Sequence, residues 1–192
     1  MSTTYPGKGA EDATAALYQK VGEIASEWTQ MEDSMANLFY ISISGCCIGQ
    51  SKTYRDVFNS FRTYEPKMKM LNAAMTARYG ENENIIKEWL ELKANIKNAA
   101  DFRNSIMHMT VSLEGETTKD APARAKIKLP LMASFKKGYS EPIFDEKELT
   151  LEEVSKQWDQ WQNIGAALSQ FTMARATDII QGLPEEEIPR SI

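Results

Sequence analysis

The 192 residues contain one histidine, His108, and it stands five positions after Arg103 in the string DFRNSIMHM. Imidazole is the side chain that gives and takes protons near neutrality, and guanidinium presents a planar fork of donors to phosphate oxygens. Together these types suit acid–base chemistry on a phosphate ester, with the guanidinium holding the negative charge that develops. On an ideal helix Asn104 and Asp101 face the same way as His108, whereas Arg103 points about 140° from it. Three geometries reconcile the pair: Arg103 reaches around, the helix loosens at its end, or a neighbouring chain completes the site. The competing reading is structural. A histidine near a helix C-terminus complements the helix dipole, and an arginine in an apolar row answers a carboxylate such as Glu32 or Asp101. Spacing alone favours that structural reading.

Other constellations are weaker. Arg124, Lys126 and Lys128 alternate along one predicted strand, with Lys136 and Lys137 nearby, and form a basic strip that could track a phosphate backbone. Such alternation more often serves solubility and edge protection. The only cysteines, Cys46 and Cys47, are adjacent, so they cannot cross-link distant parts of one chain. They read as buried, inert thiols, and a reducing compartment fits them. A carboxylate-bridged metal pair in a helical bundle needs Glu-x-x-His motifs on two helices, but Ser105 stands three residues before the one histidine. No phosphate-binding loop, nucleophile elbow or CxxC pair occurs. No metal or cofactor is therefore expected.

The elements that must position Arg103 and His108 follow from apolar spacing. Leu17, Val21, Ile24, Trp28, Met31, Met35 and Leu38 recur in steps of four and three and predict one long amphipathic helix, ending near Gly45. Val57, Phe61, Tyr64, Met68, Leu71 and Met75 keep that spacing through Pro66. Their unbroken phase predicts a second helix with a kink near Glu65 rather than a break. Ile85, Trp89, Leu92, Ile96, Ala99 and Ile106 predict a third helix reaching about His108, with Arg103 on the next step of that row. Val111 and Leu113, then Ala125, Ile127, Leu129 and Leu131, alternate with polar residues across a loop from Gly115 to Pro122, which reads as a hairpin. Thr150 and Glu153 stand at capping-box spacing. Val154, Trp158, Trp161, Leu168 and Phe171 continue as a last helix to about Ile180.

The expected fold is mainly α: an antiparallel four- to five-helix bundle with a small β-hairpin insert before the last helix. Residues 1–10 read as a disordered N-terminus, 11–180 as a single helical domain with the insert at about 110–145, and 181–192 as a flexible tail. At 42% hydrophobic, the chain suffices for one sizeable core. Its net charge of −5 and pI near 5.1 argue against a broad basic face for duplex binding. No stretch has the length of a membrane span and the N-terminus lacks an apolar signal core, so a cytoplasmic protein is expected.

Arg103, the polar Asn104 directly after it, three further residues and His108 resemble the Arg-x4-His motif of the HEPN superfamily of helical bundles. The layout over residues 11 to 180 is also similar: a long first helix containing WTQMEDSM, a two-part second helix, a motif-bearing third helix, an insert, and a closing helix beginning ELTLEEV. The resemblance implies metal-independent RNA cleavage, in which a ribose 2′-hydroxyl attacks the adjacent phosphate. It casts His108 as the acid/base group, Arg103 as the phosphate-holding group and Asn104 as the residue that orients the site; Asp101, Ser105 and Glu32 are the supporting residues expected around them. It also implies a homodimer whose composite cleft supplies two imidazoles, and a toxin or antiviral role, with a protein antitoxin or regulator as a further partner. Some toxin relatives carry a tyrosine two residues after the histidine, where a partner modifies it. Thr110 stands there in this chain, which argues against that mode of control. The alternative within the same resemblance is a catalytically silent module that binds a nucleotide, RNA or a protein.

Overall fold

The four-three spacing of the first apolar row becomes one helix, α1 (Lys8–Ser44), which buries Leu17, Ile24, Trp28, Met31, Met35 and Leu38. The structure is a computed structural model that describes residues 8–45, 51–108, 110–114, 124–128 and 148–182. Helix α1 starts within the segment 1–10 that reads as disordered, so residues 8–10 are helical. It ends where predicted. Gly45 adopts φ +60° and its amide donates to the Ile41 carbonyl at 3.1 Å, closing the last turn in a left-handed conformation that favours glycine.

The second apolar row is interrupted, not kinked. Helix α2 (Ser51–Ser60) stops, Phe61 to Thr63 are non-helical, and α3 (Tyr64–Tyr79) begins with Thr63 as its N-cap residue. Pro66 thus falls in the first turn of α3, where its missing amide costs no intrahelical bond. The separate α2 turns Phe58 into the core and leaves Val57 and Phe61 exposed, against the expectation that both join the stripe.

Helix α4 (Glu83–Met107) is capped by Asn82, whose Oδ1 accepts from the Ile85 amide at 3.2 Å. It buries Trp89, Leu92, Ile96, Ala99 and Ile106 and places His108 in the turn immediately after its end. Three strands follow instead of a two-stranded hairpin: β1 (Thr110–Glu114), β2 (Arg124–Lys128) and β3 (Glu148–Thr150) form an antiparallel sheet in the order β1-β2-β3. Leu113 stands opposite Ala125, and Ile127 stands between Val111 and Leu149. Leu129 and Leu131 lie outside the described residues. Helix α5 (Leu151–Gly182) opens with the predicted capping box. Thr150 Oγ1 accepts from the Glu153 amide at 3.2 Å, and Glu153 Oε2 accepts from the Thr150 amide at 2.7 Å.

The protein is mainly α, a helical bundle with five helices among the described residues. No helix there is long and apolar enough to cross a membrane. The chain divides into two compact units, each assembled from segments distant in sequence: Met1–Ser26 with Asp101–Trp161, and Glu27–Ala100 with Gln162–Ile192. The first is built on Leu17, Ile24, Ile106, Leu149, Val154 and Trp158, against which Phe102 and Trp161 pack edge-on to each other at 4.3 Å. The second has helices and no strand among its described residues. Trp89 and Phe171 meet there at 6.3 Å and Phe39 and Phe58 at 5.5 Å, and burying side chains of this size supplies the main folding force.

Candidate functional site

Arg103, Asn104, Ser105 and His108 all belong to the unit that contains Asp101–Trp161. The buried neighbours of the motif fix its orientation. Ile106 is fully buried in that unit's core, and Phe102 and Met107 pack against the same cluster, so this end of α4 is held against that cluster. Arg103 is half-buried and His108 is exposed. The guanidinium Nη1 donates to Asn104 Oδ1 at 3.0 Å. The side-chain amide of Asn104 thereby helps to set the direction of the fork.

Of the three geometries left open by the sequence, loosening of the helix is confined to its last step. Helix α4 runs regularly through Met107, and only His108 leaves it as a turn. Ser105 is half-buried and its hydroxyl donates to the Asp101 carbonyl at 2.9 Å, which ties it to the backbone one turn earlier. The Asp101 side chain lies on the exposed surface. Glu32 belongs to the other unit, where its Oε1 accepts from Lys67 Nζ at 3.0 Å. Its nearest role is thus to answer Lys67.

The predicted basic strip sits on the middle strand of the sheet, not on an edge, so edge protection does not explain it. Its register sets Arg124 opposite Glu114 and Lys128 opposite Glu148. Lys126 stands opposite Ser112 and Thr150. Lys136, Lys137, Cys46 and Cys47 lie outside the described residues. Among the described residues no group of three or more His, Cys, Asp or Glu side chains is placed to hold a metal ion.

Sequence reasoning missed a polar network in the other unit. Lys67 is buried, 5.7 Å from the centre of the Phe58 ring as well as paired with Glu32. Asn72 Oδ1 accepts from both Trp89 Nε1 at 3.2 Å and Lys93 Nζ at 2.9 Å. The one available signal was the place of Lys67 three residues after Tyr64 and beside Met68, on the apolar side of α3. Comparison with family models, with curated proteins and with solved structures gives no match to this chain.

Proposed function

We propose that the chain is a metal-independent endoribonuclease of the HEPN type, acting in the cytoplasm as a homodimer. One observation carries this reading: the chain's single imidazole is exposed at the end of α4, in the same compact unit as a guanidinium whose direction is set by the next side chain. In the reaction His108 takes the proton of a ribose 2′-hydroxyl. The freed oxygen forms a bond to the adjacent phosphorus, and the bond from phosphorus to the 5′-oxygen of the next nucleotide breaks. That oxygen leaves with a proton, so the products are a 2′,3′-cyclic phosphate and a 5′-hydroxyl. Arg103 holds the phosphate oxygens as negative charge builds on them, and Asn104 aims Arg103. The step needs both a base and an acid while each chain owns one imidazole, and the partner subunit's His108 supplies the other. A toxin or antiviral role with a protein regulator is the cellular setting that the resemblance attaches to this chemistry.

A second reading has an observation of its own. Because α4 stays regular to Met107, the offset of about 140° between positions 103 and 108 persists to within one residue of the histidine. That favours a catalytically silent HEPN-like module that binds a nucleotide, RNA or a protein. The two are separated by incubating tag-free protein with RNA in chelator beside His108→Ala and analysing the new ends. The ribonuclease leaves cyclic phosphate ends, and the variant cuts about 10² to 10⁴ times more slowly. No cutting by either protein leaves the silent module, and equal cutting by both overturns the role given to His108.

A further inference from the structure

Near the C-terminal end of α3, side chains of α3 and α5 form a polar group that the proposed reaction does not use. Tyr79, the last residue of α3, has its hydroxyl buried with no hydrogen-bond partner among the described residues. Arg175 of α5 is in a similar state. Its side chain is 12% exposed, and its Nε and Nη1 are buried with no aligned acceptor among the described residues, although Asp178 Oδ2 stands 3.0 Å from Nε. The guanidinium carbon lies 5.0 Å from the centre of the Phe171 ring, which helps to hold its plane. Arg78 is exposed and sits against Gly45, where an added Cβ would stand 2.6 Å from its Nη1. With Tyr79 it also lines an open concavity at the turn from α3 to α4. All these residues belong to the unit that contains Glu27–Ala100 and Gln162–Ile192.

Buried polar groups are almost always paired, so two neighbouring donors left without an acceptor require one. The charges that act on the Tyr79 phenol are Arg78, Arg175 and Asp178. Two are positive and one is negative, which leaves an excess of positive charge around the hydroxyl. Glu81 and Glu83 line the same concavity but are not among the charges acting there. The carbonyl ends of α1 and α3 oppose an anion, and Arg78, lying against the last turn of α1 at Gly45, answers the first of them. We propose that Arg175, Tyr79 and Arg78 form a binding site for a small oxyanion, the phosphate or carboxylate group of a small molecule, entered from the concavity at the α3–α4 turn. Guanidinium forks match the oxygens of either group, and the phenol donates a further hydrogen bond. Asp178 holds the positive excess to a single charge. The site is separate from Arg103 and His108, which belong to the other unit, and neither depends on the other.

Isothermal titration calorimetry tests the site in the full chain carrying Arg103→Ala, so that the candidate catalytic site takes no phosphate. Inorganic phosphate is the first probe, acetate the carboxylate arm and chloride at matched ionic strength the reference. Tighter binding of phosphate than of acetate assigns a phosphate group, and the reverse assigns a carboxylate. Arg78→Gln and Arg175→Lys each weaken binding about tenfold by removing a fork, and Tyr79→Phe weakens it about threefold. Asp178→Asn tightens it several-fold, a gain that damage to the fold does not produce. Bound anion also raises the melting temperature by about 3 to 6 °C at about ten times its dissociation constant. That rise is smaller in Arg78→Gln, whose exposed position spares the fold, as circular dichroism verifies. No heat and no rise in melting temperature with either anion leave water as the acceptor and overturn the site. Binding unchanged in both Arg78→Gln and Tyr79→Phe puts the anion elsewhere and overturns it as well.

Discussion

Lys67 and Arg103 each put a cation on the apolar row of a helix, and their surroundings differ. Lys67 on α3 is buried, with a carboxylate at 3.0 Å and an aromatic face at 5.7 Å. An ammonium taken out of water needs such a counter-charge, because desolvation costs several kcal/mol per ion. Arg103 on α4 is half-buried and donates to a neutral amide, five residues before an exposed imidazole. The first arrangement neutralises a charge inside a core. In the second, the neighbouring side chain helps to direct a fork of donors that lies near an exposed imidazole. A cation in an apolar row is thus no sign of a site by itself; the depth of burial and the nearness of an exposed imidazole separate the two cases.

If that contrast is right, the unit containing Lys67 responds to mutation through stability. Lys67→Ala leaves Glu32 without its ammonium and opens space beside Phe58, and it costs about 3 kcal/mol in urea unfolding. Arg103→Ala costs less while abolishing RNA cleavage. Equal losses of stability in the two variants would break the comparison. A smaller effect, about 1 kcal/mol, is expected for Thr150→Ala, which removes the capping box at the start of α5 in the site-bearing unit.

The smallest effect concerns Tyr79. Burial pushes its phenol above the ordinary value of 10.0, with the Arg78 guanidinium acting in the opposite sense. The folded chain then holds a proton at pH values where the unfolded chain has released it. The stabilisation is complete below pH 10.0 and is lost as pH rises through the folded value. Tyr79→Phe accordingly makes the alkaline fall in stability shallower, without changing stability's pH dependence near neutrality, as thermal melts between pH 7 and 11 will read.

Long helices were legible wherever the four-three spacing persisted over many turns, as in α1, α4 and α5, and both α1's glycine stop and α5's capping box are local patterns of a few residues. The break between α2 and α3 was not legible. Proline is tolerated in a first helical turn, so an apolar phase preserved across Pro66 is equally compatible with a kink and with a restart. Strand β3 is three residues long and abuts the helix cap, too short for a period of two to register. The pairing of Lys67 with Glu32 joins residues 35 apart, a separation that no spacing rule expresses. At the site, the sequence revealed the adjacency of Arg103 and Asn104 and the nearness of His108 to a helix end. It left open the direction of the guanidinium, which depends on a side-chain hydrogen bond.

The most direct test follows from there being a single histidine, whose imbalance-free imidazole signal stands alone in a proton spectrum of tag-free protein. Its titration is followed by nuclear magnetic resonance beside the pH dependence of RNA cleavage, with and without inorganic phosphate. The account predicts that the cleavage profile tracks the titration of His108, and that phosphate shifts the signal in the unaltered protein but not in Arg103→Ala. A histidine signal indifferent to phosphate, with cleavage running on unrelated to its titration, would contradict it.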